Sequence, residues 1–221
     1  TCTSAWDASL VLSRYLGCAK PSGRFSGFKG ATVIELGAGL GVPGLTAAHL
    51  GASTVLLTDT AAGGGVSLLH ENISINVVLL PVNNQSELAA GGGGSSGCAG
   101  ETKKQEDVLY ACELRWGQEL SKVEWPQRTG ASGPSDTVCA PFDVVIIADL
   151  LFSDNATKEL VQSVCDVSHE GTVLLSCHEH RWEGAKNLVT LLEEKGWDVG
   201  AEVPQSELDA KYRGSDFHTH V

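Results

Sequence analysis

Methionine is missing altogether from the 221 residues, and basic residues are scarce: 15 Lys and Arg stand against 27 Asp and Glu. The net charge is −12 and the pI ≈ 4.9. Phosphate backbones are gripped by clustered Lys and Arg, so no nucleic-acid partner is expected. No apolar run approaches the ~20 residues of a spanning helix, and no leader pattern opens the chain, so no membrane partner is expected either. The seven cysteines, at 2, 18, 98, 112, 139, 165 and 177, are odd in number and contain no C-x-x-C pair. That supports neither a disulfide framework nor a zinc cluster. They read mostly as small buried apolar residues of a reducing compartment. A chain that opens on Thr1 without any Met reads as an excerpt or a processed product, from which upstream targeting information can be missing. What the composition does supply is 42% hydrophobic residues, enough for a single α/β domain with a full core over residues 1–221. Its acidic surface would attract a basic protein segment, or serve only solubility.

The stretch Ala31 to Gly44, ATVIELGAGLGVPG, organises the rest. Ala31-Thr32-Val33-Ile34 has the apolar character of a buried parallel strand, and Glu35 is expected at its end. Gly37, Gly39, Gly41 and Gly44 follow, with Pro43 where a first helical turn tolerates it. This predicts strand, glycine turn, helix: a unit in which backbone approaches a ligand closely and the helix start offers free N–H groups to it. Gly39-x-Gly41-x-x-Gly44 matches the dinucleotide fingerprint two residues late, and counting from Gly37 the sixth position is Val42, which breaks it. The register that fits is acidic-x-G-x-G-x-G, Glu35 to Gly41. This resembles motif I of the class I S-adenosylmethionine (SAM) methyltransferases.

The remaining elements alternate. Ser4 is expected to cap a helix carrying Trp6, Leu10, Val11, Tyr15 and Leu16 on one face. A second helix, Val42–Leu50, closes at Gly51. Ser53–Thr58 is the second strand, ended by Asp59, whose carboxylate suits the hydroxyls of an adenosine ribose or the start of the next helix. Tyr110–Leu114 is a third strand leading to Arg115-Trp116-Gly117. Phe142–Ala148, apolar nearly throughout, is a central fourth strand running into Asp149-Leu150-Leu151-Phe152. A helix at Asn155–Val167, a strand at Thr172–Ser176 and a helix at Trp182–Lys195 follow. Trp197–Val203 and Ser215–Val221 form a last pair of strands. The alternation predicts a doubly wound sheet. Residues 83–107, with four consecutive glycines, and 126–140 read as flexible insertions. His178-Glu179-His180 and His218-Thr219-His220 each lack a third ligand in sequence, so solvated or capping histidines are expected and no metal.

Taken together these residues resemble the family-16 branch of the seven-β-strand methyltransferases, which includes lysine methyltransferases of chaperones, elongation factors and calmodulin. The resemblance rests on Ala5–Leu12, Glu35–Gly41, Thr58-Asp59, Leu114–Gly117 and the acidic-x-x-aromatic run Asp149–Phe152. Phe152 stands where many relatives carry Tyr, and the two insertions look longer than usual. The resemblance implies a Rossmann-like class I fold: a seven-stranded, mostly parallel sheet with helices on both faces and an antiparallel last strand. It implies SAM as cofactor, held by Trp6, Glu35, Gly37, Ala38, Gly39, Asp59, Trp116 and Ala148. It also implies a protein substrate presenting a lysine, and a cytoplasmic monomer is expected. Asp149 is the candidate acceptor for the amine, with Phe152 as pocket wall; Asp149 as a cap of the following helix is the alternative. A small-amine methyltransferase and a catalytically silent SAM-fold binding protein are the rival functions.

Overall fold

In the computed structural model, residues 4–18, 25–77, 108–128, 136–151, 153–179, 184–214 and 217–220 are described. The expected insertion at 83–107, Phe152 and His180 lie outside them. The elements run α1 (Asp7–Cys18), β1 (Thr32–Leu36), α2 (Val42–His49), β2 (Thr54–Asp59), α3 (Gly65–Asn76) and β3 (Leu109–Glu113). They continue with β4 (Phe142–Ala148), α4 (Asp154–Asp166), β5 (Ser168–Glu179), α5 (Gly184–Glu194) and β6 (Phe217–His220).

The strands form one mixed sheet in the order β3-β2-β1-β4-β5-β6. β1 to β5 pair in parallel, and β6 alone runs antiparallel, against β5. The seventh position belongs to the segment ending at Val203. It joins β6 by the bridge Glu202–His220 and by the Val203 N–H donating to the Thr219 carbonyl at 2.7 Å. The expected strand over Trp197–Val203 thus narrows to a single bridge at its end. The architecture is the Rossmann-like class I sheet, with helices on both faces.

Alternation along the strands sorts the core into two layers. Val33, Val55, Leu57, Val144 and Ile146 pack with Val11, Leu12 and Ala47 under α1 and α2. Ile34, Leu56, Val145 and Ile147 pack with Leu160, Val164 and Leu188 under α4 and α5. Both faces of the central strands are therefore apolar, which is why the chain shows continuous rather than alternating hydrophobic runs there.

Four local expectations are corrected. α1 starts at Asp7, not after Ser4: the Trp6 carbonyl takes the first helical N–H groups, from Ser9 and Leu10. Residues 4–6 instead run along the cavity described below. β5 begins at Ser168, four residues early, through a register irregularity opposite Phe142 and Val144. The ends of the 126–140 insertion are paired, with Gln127 bridged to Thr137, the Val138 N–H on the Pro126 carbonyl at 2.8 Å, and Val138 buried. Among the cysteines, Cys112 and Cys177 are buried, with burial pushing both thiols up to about 12, whereas Cys18 and Cys139 are exposed.

The histidines also differ from expectation, because antiparallel pairing puts His178 opposite His218. His178 is buried, and its ring stacks on His218 at 5.8 Å and on His220 at 6.2 Å between centroids. His218 Nδ1 lies 3.0 Å from Glu202 Oε1. Among the described residues no group of three or more side chains could hold a metal ion. Burial, helped by His218 and opposed by Glu202 and a Gly200 backbone bond, holds the His220 imidazolium below its usual 6.5. A depressed histidine contributes stability that is present above its unfolded value and lost as pH falls through the folded one. Amide exchange at Phe217–His220, corrected for intrinsic rates, is therefore expected to accelerate below pH 6.5 relative to β1. Equal protection of the two strands down to pH 5 would show that the edge does not respond.

Candidate active site

A cavity of about 610 Å³ opens at the carboxyl ends of β1, β2, β3 and β4. This is where the strand order reverses between β1 and β4, the crevice in which open α/β sheets bind ligands. Its volume lies in the range of small-molecule sites, roughly 300–1,000 Å³.

The floor is the glycine turn. The Ala38 N–H donates to the Thr58 carbonyl at 2.8 Å and the Gly41 N–H to the Ala38 carbonyl at 2.7 Å, folding the turn back over β2. Gly39 has φ +55°, and a Cβ placed there would meet no atom within 4 Å. Its bare backbone faces the cavity, so a ligand can lie directly on it. Asp59 ends β2 beside it, Oδ2 accepting the Gly39 N–H at 2.8 Å and Oδ1 the Thr60 N–H at 2.7 Å. A carboxylate held by two backbone donors keeps its orientation while its remaining lone pairs serve other donors. Asn72 of α3 reaches back to the Leu40 carbonyl at 3.0 Å and steadies the turn from outside.

Tryptophans form the walls. Trp6 is 40% exposed, an unusual position for an indole unless it covers something. Trp116 is half-buried, close enough to Gly37 that a Cβ there would stand 3.1 Å from its Cζ2. Gly117 anchors the loop behind Trp116, its N–H on Ser163 Oγ at 2.8 Å. At the far rim Ala148 ends β4 and Asp149 follows with φ 56°. A left-handed backbone is uncommon for a non-glycine residue, and Asp is among the residues that tolerate it. The Asp149 N–H donates to the Cys177 carbonyl at 2.9 Å, so β5 fixes this turn.

The structure brings Trp6, Gly37, Ala38, Gly39, Asp59, Trp116, Ala148 and Asp149 to one cavity. Asp149 is not the cap of α4: Ser153 holds that place and accepts the Ala156 N–H at 3.3 Å. Glu35 is the correction. It lies inside β1, which runs on to Leu36, and it is 1% exposed, one layer below the cavity. The strand's pleat turns it toward α2, where Oε2 accepts the Gly44 N–H at 2.8 Å. Residues that the site reading missed also line the cavity, among them Leu40, Thr60 and Glu159. Leu40 and Thr60 directly follow Gly39 and Asp59, which was signal enough. Glu159 on α4 carried none, because only packing of α4 over Gly117 brings it near.

These residues suit SAM: a bare backbone floor, an oriented carboxylate at the end of β2 for ribose hydroxyls, and indole faces for a sulfonium or a base.

Comparison with known proteins agrees with the geometry. A family model described as lysine methyltransferase matches residues 1–88. Protein N-lysine methyltransferase METTL21A of Mus musculus is 27% identical over 190 residues, 86% of this chain and 66% of that protein. Protein N-terminal and lysine N-methyltransferase efm7 of Emericella nidulans is 25% identical over 161 residues, 72% of this chain and 49% of that protein. The chain thus spans about half to two thirds of the length of these relatives. Among solved structures, a TehB-like SAM-dependent methyltransferase from Corynebacterium glutamicum superposes with TM-score 0.55 at 12% identity, over 95% of this chain and 84% of that one. A ribosomal protein L11 methylase from Lactobacillus delbrueckii subsp. bulgaricus gives 0.52 at 13% identity, over 97% and 77%. The chain has the class I SAM-dependent methyltransferase fold, and its N-terminal 88 residues are similar to the lysine methyltransferase model.

Proposed function

We propose that this protein is a SAM-dependent methyltransferase of the family-16 branch that methylates a lysine side chain of a protein, of the chaperone or elongation-factor type. The observation that carries the reading is Asp149: a carboxylate in a left-handed turn, on the rim of the cavity whose floor is Gly39 and whose opposite wall is Asp59. SAM supplies a methyl group on a positively charged sulfur. A lysine that receives it is charged in water, with pKa around 10.4, and must arrive as the neutral amine. Asp149 accepts a hydrogen bond from the incoming ammonium, fixes its direction, and passes the proton to water. Asp59 and the glycine turn orient the donor from the other side. Trp6 and Trp116 cover the cavity and limit water. The net charge of −12 favours a substrate segment rich in basic residues. Action as a cytoplasmic monomer belongs to the same proposal; among the described residues no helix is long and apolar enough to cross a membrane.

Incubating the purified chain with methyl-labelled SAM and a lysate of its own organism tests this. Label on one protein band, recovered as methyl-lysine after hydrolysis, is the expected result. Label only among small molecules would transfer the activity to a small amine, and cofactor binding without any label would leave a silent binding protein.

A further inference from the structure

Two carboxylates hold the glycine turn from different sides. Asp59 takes the Gly39 N–H at 2.8 Å within the cavity, and Glu35 takes the Gly44 N–H at 2.8 Å in the first turn of α2. Glu35 is 1% exposed and lies behind the residues that line the cavity. Gly44 is the residue that lets α2 come this close: a Cβ there would stand 2.7 Å from Glu35 Oε2 and collide with Leu57 Cδ2. Leu57 and Val55 pack beside this contact, and the charge of Asp59 bears on Glu35 from β2.

We propose that Glu35 is a positioning residue that releases its proton when a cationic cofactor enters the cavity, so that the turn distinguishes the charged methyl donor from its neutral demethylated product. This rests on the methyltransferase reading above. An ionised carboxylate in a dry layer beside a second carboxylate is costly. Burial first, then the Asp59 charge, raise Glu35 from 4.5 to about 8, against the opposing pull of the Gly44 N–H. Its contribution to folding is therefore complete below pH 4.5 and lost as pH rises through about 8. A sulfonium held in the cavity by the indole faces above the turn offsets the repulsion between the two carboxylates and favours the ionised form. Ionised Glu35 makes a stronger, charge-assisted bond to the Gly44 N–H and faces the positive end of α2. The proton goes to solvent. A thioether product brings no such charge and leaves Glu35 protonated.

Calorimetry at pH 7.5, in buffers of different ionisation heat, counts the protons exchanged on binding SAM and S-adenosylhomocysteine. E35Q keeps an oxygen for the Gly44 N–H but has no proton to lose. Wild type is expected to release roughly half a proton more than E35Q with SAM, and no more than E35Q with the product. Protonation of the ligand's own amino group is common to both proteins and cancels in that difference. Equal counts for SAM in the two proteins overturn the proposal. Carboxyl-carbon NMR of the wild type supplies a test that needs no variant. One glutamate titrating near 8 should move below 7 with SAM and stay in place with the product, and a signal that stays in both overturns it. Failure of either ligand to bind at all would strike the cofactor reading itself, which is distinct from binding without proton release.

Discussion

Asp149→Asn is expected to lower turnover on the order of 10²-fold while cofactor affinity stays within about a factor of two. Asparagine is the substitution of choice because it accepts a left-handed backbone nearly as well as aspartate, and the native φ here is 56°. The turn, with its bond from the Asp149 N–H to the Cys177 carbonyl, should therefore survive. What is lost is the negative charge that holds an ammonium and takes part in removing its proton. Cofactor affinity is spared because the glycine floor, Asp59 and the indoles lie elsewhere on the cavity wall. Single-turnover kinetics with saturating SAM separate the two effects. Wild-type turnover per folded molecule, accompanied by a lowered melting temperature, would show that Asp149 serves the turn and not the reaction.

Asp59→Ala should weaken SAM binding by on the order of 1.5–3 kcal/mol, roughly 10- to 150-fold. Two losses combine in that figure. The variant removes charge-assisted acceptors for the ribose, and it also releases the Gly39 and Thr60 N–H groups that Asp59 now holds at 2.8 and 2.7 Å. Asp59→Asn separates them, since one amide oxygen can still take a backbone N–H but the charge is gone. An intermediate affinity for Asn is the expected pattern. Calorimetry showing wild-type affinity in a folded Ala variant removes Asp59 from the site.

Much of this was legible along the chain because it is local. The run Thr32–Leu36 followed by glycines determined a buried strand and a close-approach turn, since both depend on side chains within a few residues. Asp59 ends one strand and Asp149 directly follows another, and parallel strands deliver such residues to one edge of the sheet, so their convergence followed from the alternation of elements. The strand order and the second-layer pairings were not local. Glu35 sits in the motif, yet only the close packing of α2 on β1 decided that it faces Gly44 and not the cavity. His178 and His218 are 40 residues apart in sequence, and only the antiparallel register of β5 and β6 stacks them. Ser153 rather than Asp149 caps α4 because the helix begins at Asp154, which puts the capping position on the residue directly before it and leaves Asp149 at the strand end. Sequence thus determined which residues arrive at the strand ends. Tertiary packing decided which way each one faces, because a side chain's direction depends on register and on the partner element that excludes water around it.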